Sequence, residues 1–198
     1  MSKIGGVAFE AVEDGDADAR LRRRCRALSR FVTPAHLDMK SALVNEVVLN
    51  IARDELRRMD ASRSPSDKVE CVVRCASMIF SVLNLARAET SSKAGQSESR
   101  AGADDFLPVF IYVVLKADVP RLHSNCVYVD AYHNPSALKS KAGYCFVNLR
   151  SAVEFLLTVE GPQINMTADA FGAALAEAED VVDSQAPNRP RAPPPAAP

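Results

Sequence analysis

Apolar residues recur along most of this chain at three- and four-residue steps, the repeat of a helix with one buried face. Nothing in the chain supports strands joined in a sheet, so the predicted class is all-α. One stretch departs from the one-sided pattern. Residues 102–116 read GADDFLPVFIYVVLK, with no charge between Phe106 and Leu115, and a helix apolar on every side belongs in the middle of a bundle. The pattern predicts a helix buried over most of its length, with the rest of the chain built around it. Asp104 and Asp105 stand just ahead of the apolar run, and either can be its N-cap, accepting hydrogen bonds from the open amides of the first turn. With the cap there, Pro108 falls in the first turn or at its edge, where a missing N–H costs little. One aspartate can cap while the other stays free. Local pattern alone favours the plainer view that both are helix-start residues suited to the macrodipole.

The flanking elements follow from the same periodicity. Residues 1–18 are polar, acidic and Gly-containing and are expected to be loose, leading into a helix from about Ala17 to Phe31. Thr33-Pro34 stops and restarts the chain, because the residue before proline leaves the α region. A helix from about Ser41 to Met59 places Leu43, Val47, Ile51 and Leu56 toward the core. Ser64, Pro65 and Asp67 spell the next helix start as cap, N1 proline and first-turn acid, and Val69, Val72, Val73, Ala76, Ile79, Phe80 and Leu83 then share one face. Residues 89–103, rich in Ser, Gly and polar side chains, read as a mobile loop that leaves the aspartates exposed. After the central stretch, a turn over Asp118–Leu122 opens a helix to about Tyr132, which His133-Asn134-Pro135-Ser136 breaks. Gly143–Leu157 is another helix, with Leu149, Ala152, Val153 and Leu156 buried and Tyr144, Cys145 and Val147 presented by its opening turn. Thr167 caps a last helix to about Val182, anchored by Phe171 and Leu175. The domain plan is a flexible segment with a basic helix at 1–30, a main domain at 31–160 and a packed C-terminal helix at 161–184. The Pro/Ala-rich tail at 185–198 cannot build a core and is expected to be disordered.

Composition narrows the function classes. With 198 residues, 47% hydrophobic and 25% charged, the chain can hold one globular domain, and a net charge of −1 argues against a bulk nucleic-acid binder. The opening residues lack the pattern of a signal peptide and no apolar stretch reads as long enough to span a bilayer, which predicts a cytoplasmic protein. Cys25, Cys71, Cys75, Cys126 and Cys145 are scattered through apolar patterns without a CxxC pair and read as reduced core thiols.

Candidate chemistry is sparse. Asp14, Asp16 and Asp18 alternate like the start of a calcium loop, but no Gly follows Asp18 and Cys25 stands where the closing Glu is needed. Arg20, Arg22, Arg23, Arg24 and Arg26 form the densest basic run; acidic lipid headgroups or a nucleic-acid backbone would fit it, and a solvated helix face is the plainer view. His36 has no partner at metal spacing. Cys71 and Cys75 are one turn apart, yet two thiols make a poor zinc site. His123, Cys126 and His133 lack a fourth ligand, so no metal and no cofactor is expected. There is no P-loop, HExxH, GxSxG or dinucleotide Gly motif.

The order of motifs resembles the vacuolar protein sorting nine (VPS-nine) domain, the catalytic module of guanine-nucleotide exchange factors for early-endosomal Rab GTPases. The resemblance rests on FVTPAHLDM (residues 31–39), RSPSDKVECVVRC (63–75), ADDFLPVFIYVVLKADVPRLHSN (103–125) and GYCFVNLRSAVEFL (143–156). It implies a layered helical bundle with a short N-terminal helical segment, and a Rab GTPase partner, most naturally of the Rab-five subfamily. It also implies peripheral recruitment to endosomal membranes, and no nucleic acid. Asp104 is then the acidic finger, with Pro108, Tyr144 and Val147 on the GTPase-facing groove, Phe106, Leu107 and Phe146 in the groove or behind it, and Asp105 kept for capping.

The finger has a physical rationale of its own. A Rab holds its nucleotide through a P-loop lysine and Mg²⁺ set against phosphate charge, and a carboxylate on a rigid helix end can pair with that lysine and disfavour Mg²⁺ and phosphate. A hundredfold acceleration needs about 2.7 kcal/mol. One charge-assisted contact supplies about 1.5 to 3 kcal/mol. Two departures stand out: the family pattern has a threonine at the position of Val147 and usually a second aromatic at Cys145. Lys139 and Lys141 also make basic a loop that tends to be acidic in the family. The alternative to an exchange factor is therefore a catalytically weak or inactive Rab-binding adaptor, and a third class is a thiol or metal enzyme built on Cys126, His123 and His133.

Overall fold

The computed structural model of the chain describes residues 7–94, 103–133 and 141–185. Among the described residues only helices and short 3-10 turns occur, so the fold is all-α. A helical turn at residues 7–10 (α1) is followed by α2 (Gly15–Phe31), 3-10 turns at Pro34–Leu37 and Ser41–Leu43, and α3 (Glu46–Ala61). Then come α4 (Pro65–Ala94), α5 (Ala103–Ala117), α6 (Leu122–Tyr132), α7 (Lys141–Thr158), a 3-10 turn at Gly161–Ile164, and α8 (Ala168–Gln185).

The charge-free stretch is the centre of the bundle. Phe106, Val109, Phe110 and Val113 of α5 are fully buried, and Ile111, Tyr112, Val114 and Leu115 nearly so. The helix packs against α2, α3, α4 and α7 at once, which is why no polar face is needed. α8 lies outside, on α2, with Phe171 edge-on to Phe31 at 5.8 Å. Helix starts fall where capping chemistry places them. The side chains of Asp14, Asn45, Ser64 and Thr167 accept from backbone amides three residues on at 2.8, 3.3, 3.0 and 3.3 Å. Each such cap contributes about 1 kcal/mol.

Four expectations are corrected. Val47 and Ile51 do not face the core: they are 72% and 46% exposed, and the buried face of α3 is Leu49, Ala52, Leu56 and Met59. Leu43 is buried, but on a separate 3-10 turn, so a helical register carried on from it is out of phase with α3. Residues 89–94 continue α4 rather than forming a loop. Polarity misled here, since the first helix breaker after Pro65 is Gly95, and a polar helix end needs only water on its outer side. Residues 7–18 are not loose: Phe9 is buried edge-on to Tyr128 at 5.3 Å, and the backbone N–H of Asp14 donates to Ser124 Oγ at 2.9 Å. Asp18 is buried, accepting from Ser124 N–H at 3.0 Å and from its hydroxyl at 2.5 Å. Finally, Pro65–Ala86 is by length and hydropathy alone apolar enough to cross a membrane, and half of that window is buried within the bundle. Residues 1–6, the rest of the 95–102 lead-in, the Asn134-Pro135-Ser136 break with Lys139, and the tail from 186 lie outside the described residues.

Candidate functional site

The site begins where α5 emerges from the core. Asp104 and Asp105 lie inside its first turn, not at the N-cap, because α5 already starts at Ala103; Pro108 accordingly sits within the helix, past the first-turn position expected for it. Proline's fixed φ suits a helix, so the geometry survives, but the missing N–H leaves the Asp104 carbonyl without the amide that closes its turn. The two aspartates then part ways. Asp105 is half-buried and its Oδ1 accepts from Lys40 Nζ at 3.0 Å. Asp104 is exposed, and among the described residues its carboxylate has no hydrogen-bond or ion-pair partner.

Behind the aspartates, an aromatic stack ties three helices together. Phe106 is fully buried, stacked on Phe80 of α4 (centroids 4.5 Å apart, planes 9°) and on Phe110 (5.2 Å), and tilted against Tyr144 of α7 at 6.1 Å. Such ring pairs add about 0.5 to 1.5 kcal/mol each beyond the area they bury. Phe106 therefore supports the surface instead of forming it. Leu107 and Pro108 are half-buried beside it, while Tyr144 is 44% and Val147 62% exposed, one turn apart on the same face of α7. Asn148 Nδ2 donates to the Tyr144 carbonyl at 2.8 Å, one turn back on the same helix. Cys145, expected on the presented turn, is fully buried, and burial pushes its thiol up. The arrangement is one solvated carboxylate at a rigid helix end, next to a small apolar surface from Leu107, Pro108, Tyr144 and Val147.

The remaining candidates are accounted for in the fold. Of the basic run, Arg22 and Arg26 both bond Asp118, at 2.7 and 2.8 Å. Burial pushes the Asp118 carboxyl up, but the two guanidiniums outweigh it and hold the group below its usual range. Arg23 pairs with Asp183 at 2.7 Å and Glu179 at 3.0 Å, and Arg24 donates to the carbonyls of Leu156 and Val159. The run is a staple between α2 and its neighbours. Cys126 is buried, and burial pushes its thiol up to about 12; among the described residues no three His, Cys, Asp or Glu side chains are grouped as a metal site. Cys71 touches Ser62 Oγ at 3.5 Å and an Arg74 nitrogen at 3.3 Å, and burial raises the Cys75 thiol well above its ordinary value.

Two residues at the site escaped the sequence. Phe80 reads as one more core position on a periodic face, and only its ring stacking shows that it backs the α5–α7 surface. Lys40 has no local signal at all, since its partner is 65 positions away.

Comparison with known proteins gives a consistent picture. The family model described as the vacuolar sorting protein 9 (VPS9) domain matches residues 49–161, more than half of the chain. The chain is 34% identical over 167 residues to vacuolar protein sorting-associated protein 9A of Oryza sativa subsp. japonica, covering 84% of this chain and 34% of that protein. It is 35% identical over 180 residues to the Rab5 GDP/GTP exchange factor of Homo sapiens, covering 86% of this chain and 34% of that one. Against the human GTPase-activating protein and VPS9 domain-containing protein 1 the identity is 33% over 164 residues, 81% of this chain and 10% of that protein. The chain spans about a third or less of the length of these relatives.

Proposed function

The chain belongs to the vacuolar sorting protein 9 (VPS9) domain family, and on that premise we propose that it is a guanine-nucleotide exchange factor for a Rab GTPase, of the Rab5 type. The observation that carries the reading is Asp104: a solvated carboxylate on the first turn of a helix whose remainder is core, flanked by exposed Tyr144 and Val147. Leu107, Pro108, Tyr144 and Val147 hold the switch regions of the GTPase, whose order depends on its nucleotide state, and favour the conformation that has lost Mg²⁺. Asp104 then meets the P-loop lysine as the phosphates depart, giving it a counter-charge that the fold has aligned in advance. No covalent step is involved, so no chemical-step catalysis is assigned. Phe106 acts from behind, and Asp105 stays with Lys40. Because the Arg20–Arg26 run is mostly engaged within the bundle, we assign recruitment from cytoplasm to endosomal membrane to the GTPase itself.

The experiment is release of a fluorescent GDP analogue from a panel of purified Rab GTPases, with wild type and Asp104→Ala in parallel. Acceleration for one Rab, reduced about a hundredfold by the substitution, is the expected result, as loss of a charge-assisted contact of about 2.7 kcal/mol requires. Full activity of Asp104→Ala removes the finger mechanism. A second reading, a Rab-binding adaptor of weak or no activity, is favoured by Val147, whose exposed methyls stand where a hydroxyl is expected. Tight binding of nucleotide-free Rab without faster release selects it.

A further inference from the structure

Two carboxylates stand side by side at the tip of α5, and the fold treats them differently. Asp105 is met by Lys40, whose side chain is 74% exposed but whose backbone is firmly held. Its neighbours Leu37, Met39 and Leu43 are all buried. Asp38 turns the chain in the left-handed region (φ 54°) and accepts from Asn165 Nδ2 at 2.8 Å, and the Met39 amide closes onto Pro34 O at 3.0 Å. The Pro34–Leu37 turn itself packs on α5. Lys40 is thus offered to the finger helix from a pinned platform, which reduces the ordering cost that usually leaves an exposed ion pair with little effect.

We propose that Lys40 is a positioning residue for Asp104: by engaging Asp105 from the 34–43 platform, it fixes the first turn of α5 and leaves one carboxylate to face the GTPase. The proposal rests on the exchange-factor reading of that tip. Its logic is electrostatic. The Lys40 ammonium beside Asp105 lowers the negative charge that the first turn of α5 presents to Mg²⁺, and nucleotide release requires Mg²⁺ to leave. With Lys40 in place the tip presents a single charge, on Asp104.

The test is a double-mutant cycle on GDP release from the Rab that responds to the wild type. Lys40→Ala is expected to lower kcat/KM about threefold and Lys40→Glu further, while Lys40→Arg retains activity. In an Asp105→Asn background Lys40→Ala is expected to change nothing, because the group it pairs with is gone. Melting temperature is followed throughout: a purely structural Lys40 would lower it together with activity and would do so in both backgrounds. Unaltered release by Lys40→Ala, or an equal loss with and without Asp105→Asn, overturns the proposal while leaving the finger reading intact if Asp104→Ala is still inactive. If the wild type accelerates no Rab, the exchange reading fails instead, and the same cycle is run on affinity for nucleotide-free Rab5. Coupling there sustains the positioning role, and additivity or no binding ends it.

Discussion

Lys68 is the largest fully buried side chain that carries a charge, and its removal should make stability respond differently to pH. Its Nζ donates to Met59 O at 2.9 Å and Asn125 Oδ1 at 2.5 Å, and lies 4.8 Å from the ring centroid of Phe9 and 5.8 Å from that of Tyr128. The titratable groups that act on it are Asp60, Arg121 and Cys71. Burial is the main cause that lowers the ammonium to about 8 from its ordinary 10.5; Asp60 opposes the shift and Arg121 adds to it. A base whose folded pKa is depressed binds fewer protons folded than unfolded between those two values, so stability rises with pH across the window from about 8 to 10.5. From pH 7 to pH 10 the gain from this one group is on the order of 2 to 3 kcal/mol.

Lys68→Met keeps the length of the side chain and removes the titration. Urea denaturation of both proteins at pH 7 and pH 10 gives the difference of differences, which is expected to favour the wild type by about 2 to 3 kcal/mol more at the higher pH. The raised thiols of Cys25, Cys75 and Cys126 and the raised hydroxyls of Tyr112 and Tyr128 act in the opposite direction, losing stability as the unfolded chain ionises first. They are common to both proteins and cancel. An unchanged stability gap between pH 7 and pH 10 would refute the reasoning, showing that the two carbonyl acceptors and two rings already compensate the buried cation.

Two further outcomes follow from single positions. A Cβ on Gly161 would meet Thr167 O at 2.7 Å and Met166 O at 2.9 Å, both backbone, so Gly161→Ala should destabilise by about 1 to 3 kcal/mol in chemical denaturation while Gly172→Ala, with open space around it, does not. Val147→Thr, at a side chain 62% exposed, should leave stability within about 0.5 kcal/mol and raise GDP release up to about fivefold if the hydroxyl finds its partner on the GTPase.

The fold was legible wherever one element determines its own burial. The charge-free run of α5 announces a central helix, and the faces of α4 and α7 can be read off their spacing, because a helix with one apolar side has one way to bury it. Val47 and Ile51 fail for the complementary reason: α3 has apolar residues on more than one side, and only the position of α4 and α5 selects Leu49, Ala52, Leu56 and Met59. The order in residues 7–18 was hidden because its partners, Tyr128 and Ser124, are more than a hundred positions away. Polar composition reports what a segment cannot bury alone, not what another segment will cover.

At the site the same limit takes a sharper form. Asp104 and Asp105 are the same residue type on the same turn, and both suit a helix start. Motif resemblance could single out Asp104, but nothing local could say why it and not its neighbour remains in solvent. The structure supplies a reason in the Lys40 contact, and Lys40 reaches Asp105 only because Leu37, Met39 and Leu43 bury themselves and Asp38 turns through a left-handed conformation. A partner of Asp105 at the tip of α5 thus comes from a segment 65 positions earlier. A substitution on that platform, remote from the finger in sequence, should therefore act on exchange through Asp105, and this coupling is what separates a pre-set tip from two interchangeable acids.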